Sequence, residues 1–416
     1  MKKLIYTFDD FVALFKFRQV SYQDFCQELS VLDISDRSGT FKIRSHIDDF
    51  IARVDRNNSR RARLDLFKQK LYQTLVLEPE VALYEWFRRY GELPESLAYY
   101  FNIPNTNILS GTTYGGRTHS KYGRICKNIN FETFYNTKKL YNNDGEYVIG
   151  LMKAMFENFK IRNSLAGPAM FDHICKIENN YGQFWLDFMI GANRASIFNP
   201  ATYKGIMESV LSGSIIFAPC MGWNAYQIGF YSTNWQHFVA TDVIPTVAEN
   251  GILLDQEWQA YRDKSVIDLE KKSVDLYLCP SEQLADRHNF DQNYSNQVDA
   301  VLFSPPYFDL EIYQSQDQSF TNFPDYQDWL KGYWEATVTL CCEVLKPGGK
   351  FAFVISNYRN RAKQEVTISQ DMQAMVAKHL SLTGQYRVQW SSIASSRQAH
   401  KTRAGNFEDL WVFEKY

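Results

Sequence analysis

Apolar positions along the chain fall into two textures. From Asp9 to about Tyr100, segments such as FDDFVALFKF, YQDFCQELSVL, IDDFIARV and EVALYEWFRRYG repeat apolar residues at i, i+3, i+4 with charges between them. That spacing predicts amphipathic helices. Residues 102–130 are polar, glycine-rich and aperiodic, which predicts a long loop or weak hairpin, and loops of this length are commonly functional. Helical texture returns from Tyr147 to about Met189. After about Ile197 short apolar runs alternate with helical stretches. Strands are expected at Ser214–Phe217, His237–Thr241, Val274–Cys279, Val298–Phe303 and Lys350–Ser356. Helices are expected at Thr246–Tyr261, Tyr326–Leu345 and Ile368–Leu382. Tyr386–Ser391 and Asp409–Phe413 look like a closing antiparallel hairpin. Strands alternating with helices imply parallel pairing, hence an α/β, doubly wound sheet. The expected division is a mainly α-helical and loop region over 1–196 and a sheet domain over 197–416.

Composition narrows the class without naming a chemistry. At 416 residues the chain has room for two or three domains, and 45% apolar with 22% charged residues excludes a disordered or fibrous protein. The 45 basic and 47 acidic residues nearly cancel, so any nucleic-acid footprint must be local. No apolar run approaches the roughly 18 residues of a membrane span. The start, MKKLIYTFDD, reaches Asp9 and Asp10 too soon for a secretory signal. Seven scattered cysteines form no CxxC pair, so neither a metal site nor a disulfide framework is indicated, and a cytoplasmic location is expected.

In a doubly wound sheet, ligands bind beyond the carboxyl ends of the strands. The residues after each expected strand are therefore the informative ones. Ala218-Pro219-Cys220-Met221-Gly222-Trp223-Asn224 follows the first strand. Asp242 follows the second, 20 residues beyond Gly222, the usual offset of a carboxylate that accepts from ribose hydroxyls. Glu282 follows the third and Ser304-Pro305-Pro306-Tyr307-Phe308 the fourth. There is no GxGxxG and no phosphate-cradling lysine, which favours an adenosine ligand without phosphates. Two consecutive prolines fix φ and remove two donors. A carbonyl there and the Ser304 hydroxyl can converge on an exocyclic NH₂ group, and the Tyr307 ring can stack on its heterocycle. Trp223 either packs on the cofactor or plugs the turn.

The tetrapeptide Ser304–Tyr307 resembles the catalytic motif of S-adenosylmethionine-dependent amino-methyltransferases, which methylate adenine N6 or cytosine N4 in DNA. The stretch LFSPPYFDLEIY, with Gly222-Trp223 after the first strand, is most similar to methylases of that family encoded by bacteriophages. The resemblance covers about Phe198 to Tyr416. It implies the class I methyltransferase fold, Rossmann-like with seven strands, and a bacterial or phage-infected host cell. It implies that Phe198, Asn199 and Pro200 lie over the methionine part of the cofactor. Ala218, Pro219, Cys220, Gly222 and Trp223 would form the methionine-side turn. Asp242, with Val243 beside it, would take the ribose, and Glu282 the adenine. Ser304, Pro305, Pro306 and Tyr307 would clamp the amine of a base flipped out of duplex DNA, beside Phe308. The family usually carries an acid at the position of Ala218 and a glycine at that of Asn224. Serine at 304 leans towards cytosine.

Basic stretches give expectations for phosphate contact. Arg53 to Lys70 is either a solvated helix face or a DNA contact. The acid-free stretch from Tyr114 to Arg124 interleaves Arg117, Lys121 and Arg124 with Tyr122, which suits phosphate clamping and base stacking. Arg397, Lys401 and Arg403 lie in the loop of the closing hairpin. A DNA-binding module without turnover, and an enzyme acting on RNA or protein glutamine, stay open beside the DNA reading. Monomer and homodimer stay equally open.

Overall fold

The structure is a computed structural model. It describes residues 3–13, 21–24, scattered positions from 69 to 93, 96–104, 113–114, 122–130, 197–266, 269–309, 315–359, 365–389 and 407–416. Packing divides the chain into two units. One comprises Met1–Ile5, Leu93–Thr133 and Ser196–Tyr416, and the other Tyr6–Glu92 and Phe134–Ala195.

In the second unit the helix α1 (Phe8–Val12) starts with a reciprocal cap. The Asp10 carboxylate accepts from Thr7 N at 2.7 Å, and Asp10 N donates to the Thr7 hydroxyl at 3.3 Å. Phe8 packs edge-on against Tyr84, with ring centroids 5.1 Å apart.

The first unit contains the sheet. Its strands are β1 (Thr113–Tyr114), β2 (Ile215–Ala218), β3 (His237–Asp242), β4 (Ser273–Leu278), β5 (Val298–Phe303) and β6 (Leu345–Ile355). β7 (Tyr358–Arg359) and β8 (Glu365–Val366) form a separate small ribbon, and β9 (Ser381–Gln389) and β10 (Phe407–Glu414) complete the main sheet. The order is β1-β9-β10-β6-β5-β2-β3-β4. β4, β3, β2, β5 and β6 run parallel, and β10 is antiparallel to both β6 and β9. Without the two-residue β1, this is the seven-stranded class I methyltransferase topology that the sequence led us to expect. β1 adds an eighth strand, parallel to β9.

The central strands are buried on both faces, as parallel strands covered by helices must be. Ile216 to Ala218, Phe238 to Ala240 and Phe351 to Ile355 are all 0% exposed. Helices of this unit include α2 (Leu97–Phe101), α3 (Gly123–Ile129), α4 (Pro200–Ser209), α5 (Ala225–Tyr231), α6 (Pro245–Lys264), α7 (Leu284–His288) and α8 (Phe290–Tyr294), with a single turn at Ser319–Asn322. α9 (Tyr326–Trp329) runs through a π-turn at Leu330–Glu335 into α10 (Ala336–Val344), and α11 (Ile368–Val376) precedes the closing hairpin.

The domain division departs from the expected one. Leu93–Thr133 belongs to the same compact unit as the sheet. The reason is local: α2 and α3 are too short for a 3.6-residue period to register, yet each buries apolar side chains. Phe101 packs edge-on against Tyr231 at 5.3 Å and Trp258 at 5.5 Å. The Ser232 hydroxyl donates to the Phe101 carbonyl at 2.9 Å and accepts from Ile103 N at 2.9 Å.

Candidate active site

The strand order reverses between β2 and β5, and the chain opens there into a cleft of about 920 Å³. Residues that follow β2, β3, β4 and β5 converge on it. Pro219, Cys220, Gly222, Trp223, Asp242, Val243, Glu282 and the run Ser304–Phe308 all line one space, together with Phe198. Among the described residues no lysine or arginine lines it, whereas Asp242, Glu282, Asp317, Glu408 and Asp409 do.

The turn after β2 is held in an unusual backbone conformation. Gly222, Trp223 and Asn224 have φ of 53°, 59° and 62°, three left-handed residues in succession. Glycine and asparagine tolerate this region, but a bulky tryptophan there costs on the order of 1–3 kcal/mol. Gly222 is required sterically as well, since a Cβ would lie 2.4 Å from the Tyr226 ring. Tyr226 is buried and stacks on Tyr203 at 4.4 Å, and its hydroxyl accepts from Ser304 N at 2.9 Å. The Cys220 thiol donates to the Ser304 carbonyl at 3.2 Å. One aromatic ring and one thiol thus join the turn after β2 to the proline run after β5. The carbonyl of Ser304 therefore has a local partner, which leaves the proline carbonyls of the run as the acceptors for an exocyclic NH₂ group.

Two carboxylates are perturbed. Asp242 accepts from Met221 N at 3.1 Å and Ile244 N at 3.0 Å. Burial nevertheless pushes its pKa up to about 6, against those backbone donors. Burial also pushes Glu282 up to about 7, and among the described residues its buried Oε1 has no hydrogen-bond partner. A buried acceptor without a donor, facing a cleft, is suited to accept a hydrogen bond from a ligand.

Tyr307 is braced at its far end. Its hydroxyl donates to the Glu408 carboxylate on β10 and accepts from Ser356 N at 3.0 Å. Tyr358 packs edge-on against the ring at 5.8 Å and donates to Asp309 at 2.5 Å. The hydroxyl is engaged, so the ring is left to act through its flat surface.

Several expectations are corrected. Ala218 is fully buried as the last residue of β2 and does not line the cleft. Asn199 instead caps α4, accepting from Ala201 N at 2.9 Å, and Pro200 is buried in the first turn of that helix. Tyr122 is buried and stacked on Tyr99 at 5.1 Å, so its ring is committed to internal packing. Phe308 reaches the cleft, but within a cluster of rings with Phe320, Tyr326 and Trp329. Arg124 sits half-buried on α3. Arg117, Lys121, Arg397, Lys401 and Arg403 lie outside the described residues, as does most of Arg53 to Lys70. Sequence reasoning missed Tyr226, Glu408, Asn130 and Asn250. Only Glu408 carried a signal, as one of two adjacent acids near the start of the strand FEDLWVF, whose residues after Asp409 are buried.

No family model matches the chain, and no curated protein matches it. Solved structures do. TrmN from Thermus thermophilus is 12% identical over 53% of this chain and 49% of its own, with a TM-score of 0.32. The chain thus spans about half the length of that protein. The 1,6-didemethyltoxoflavin-N1-methyltransferase from Burkholderia thailandensis, solved with S-adenosylhomocysteine, is 13% identical over 51% of this chain and 76% of its own, with a TM-score of 0.28. The [4+2]-cyclase SpnF is 10% identical over 53% of this chain and 84% of its own, with a TM-score of 0.34.

Proposed function

We propose that this chain transfers a methyl group from S-adenosylmethionine to the exocyclic amine of a base flipped out of duplex DNA, with cytosine N4 slightly favoured over adenine N6. The observation that carries the reading is that Ser304–Tyr307 and Asp242 border the same cleft at the switch point of the sheet.

The residues suit this cofactor. A cleft lined by carboxylates and by no lysine or arginine among the described residues favours a ligand with positive charge and no phosphates. When bound, S-adenosylmethionine supplies an electrophilic methyl group on a cationic sulfur. Asp242 would accept from the ribose hydroxyls and Glu282, with its buried unpaired oxygen, from the adenine amine. The left-handed turn at Gly222–Asn224 would bring backbone close to the methionine part. Because Ala218 is buried and carries no carboxylate, the cofactor's amino group must find its partner elsewhere along this turn.

On the target side, the Ser304 hydroxyl and a proline carbonyl accept the two N–H bonds of the amine. That withdraws the nitrogen lone pair from the ring and points it at the methyl group. Tyr307, braced by Glu408 and Ser356, offers its face to the heterocycle. Attack would need no strong base: the N–CH₃ bond would form as the S–CH₃ bond breaks and S-adenosylhomocysteine leaves, and the amine proton would then pass to solvent water. Orientation and removal from water supply most of the rate. The N-terminal region, together with the basic positions outside the described residues, is assigned to target recognition.

The test is mass spectrometry of nucleosides from the DNA of cells expressing the protein. N4-methylcytosine or N6-methyladenine is expected with the wild-type chain and neither with Ser304→Ala/Tyr307→Ala. Methylation of tRNA with none in DNA would replace this reading by an RNA one.

A further inference from the structure

The left-handed turn closes on itself through Ala225 N and the Gly222 carbonyl, and it gains further support from a part of the chain that no motif marks. Asn130, at the carboxyl end of α3, is 2% exposed; its Nδ2 donates to the Trp223 carbonyl at 3.1 Å and to Asn224 Oδ1 at 3.0 Å and also lies 3.2 Å from the Cys126 carbonyl of its own helix. Asn224, fully buried, donates onward to the Val247 carbonyl on α6 at 2.9 Å. Asn250, also on α6 and 2% exposed, donates to Asn130 Oδ1 at 3.0 Å and to the Ile129 carbonyl at 2.7 Å. Backbone carbonyls fix the orientation of all three amides. Trp223, Val247 and Ile129 each present an oxygen, so each amide must turn its NH₂ towards it, and the remaining contacts then pair donor with acceptor. The next helical residue, Gly251, lacks the Cβ that would come within 3.2 Å of Asn224 Nδ2.

We infer that Asn130 is a positioning residue for the cofactor: by holding the Trp223 carbonyl and the Asn224 side chain it keeps the Gly222–Asn224 turn left-handed, and so fixes the backbone that meets the methionine part. Glycine adopts this conformation without cost and asparagine tolerates it, whereas Trp223 is strained there and gains from an external partner. Asn130 lies 93 residues before Trp223 in sequence, on the segment that packs unexpectedly with the sheet. Its attachment there thereby gains a function. The inference rests on the proposed cofactor reading and deepens it.

The experiment uses the full chain and two ligands. S-adenosylhomocysteine carries the amino-acid arm, and 5′-methylthioadenosine lacks it. Titration calorimetry should show that Asn130→Ala weakens S-adenosylhomocysteine at least tenfold and 5′-methylthioadenosine less than twofold. Asn224→Gly in the Asn130→Ala background should restore S-adenosylhomocysteine to within threefold of wild type. Asn250→Ala, which leaves both bonds to the turn in place, should cost less than threefold. Equal weakening of both ligands, failure of the glycine to rescue, or unchanged affinity in Asn130→Ala each overturns the assignment. If Asn130→Ala does not fold, the near-isosteric Asn130→Leu takes its place. The fluorine resonance of 5-fluorotryptophan at Trp223, assigned with Trp223→Phe, provides a readout free of ligand. It should move in Asn130→Ala and return in the double variant. A wild-type chain that binds neither nucleoside defeats the cofactor reading, and the resonance still decides whether Asn130 holds the turn.

Discussion

The two edges of one parallel sheet treat their polar groups in opposite ways. At the amino-terminal edge charges are paired. Asp299 accepts from Ser214 N and Ile215 N at 2.9 Å each and from the Lys346 ammonium at 2.6 Å. His237 bonds Asp275 at 2.9 Å, and Tyr294 donates to the same carboxylate. Lys272, 4% exposed and pushed down to about 8 by burial, still donates to the carbonyls of Thr233 at 2.7 Å and Trp235 at 2.5 Å and lies over the Phe230 ring. At the carboxyl edge the local rules are broken. Three left-handed residues follow one another, two of them not glycine, and Glu282 keeps a buried oxygen without a donor. Both edges are polar. Among the described residues the carboxyl edge carries the strained turn and the acceptor without a donor, and that is where function is to be sought.

Substitutions at the carboxyl edge should therefore change chemistry and binding more than stability. The largest effect is expected for Tyr307→Ala, which removes the stacking face beside the clamp. It should lower kcat/KM for methyl transfer about 10²–10³-fold, with a Tm within about 2 °C of wild type. Tyr307→Phe, which keeps the ring and loses only the brace to Glu408 and Ser356, should fall between. A Tm loss as large as the activity loss in Tyr307→Ala would mean that this ring is core. Next in size is Gly222→Ala. The added methyl would meet the Tyr226 ring at 2.4 Å and must displace it from Ser304 N. Both the strained φ and the clash act, so binding of S-adenosylhomocysteine should weaken by about 2–3 kcal/mol by calorimetry. Unchanged binding would show that the ligand does not touch this turn.

The amino-terminal edge supplies the opposite outcome. Asp299→Ala leaves two backbone donors and the Lys346 ammonium without their acceptor. It should cost about 2 kcal/mol in urea unfolding while affinity for S-adenosylhomocysteine stays within twofold. If Asp299→Ala weakened ligand binding as much as Gly222→Ala, the two edges would not be independent and the contrast would fail.

The strands, the switch point and the positions of Asp242 and Ser304–Tyr307 were legible in the sequence, because buried parallel strands are short uninterrupted apolar runs and ligand residues follow directly after them. Three kinds of feature were not. The helix α3 is too short to show a period, so its packing on the sheet was hidden in the stretch that reads as loop, and α2 reads as the end of the helical region before it. Asn130 and Asn250 act through amide contacts across more than 90 residues of chain, and asparagine in isolation predicts only turns and caps. Tyr122 misled for a related reason. Alternation with basic residues suggests an exposed stacking ring, but its partner Tyr99 lies in a segment whose packing the pattern cannot see.

The smallest expected effect separates the edges by sign. Burial raises Glu282 from an ordinary value of 4.5 to about 7, so the folded state binds its proton more tightly than the unfolded chain does. The stabilisation from this proton is complete below about pH 4.5 and is lost as the pH rises through about 7. At pH 8 the chain folds with a buried carboxylate that has no donor on Oε1, at a cost on the order of 1–3 kcal/mol. Glu282→Gln removes that charge and keeps the shape. It should raise Tm by a few degrees at pH 8 and leave it unchanged near pH 4.5, as thermal scans at the two pH values would show. Saturating S-adenosylhomocysteine should narrow the difference at pH 8, because an adenine amine would supply the missing donor. A Glu282→Gln variant less stable than wild type at pH 8 would mean that the carboxylate is satisfied within the protein, and that this part of the cleft is as complete as the opposite edge.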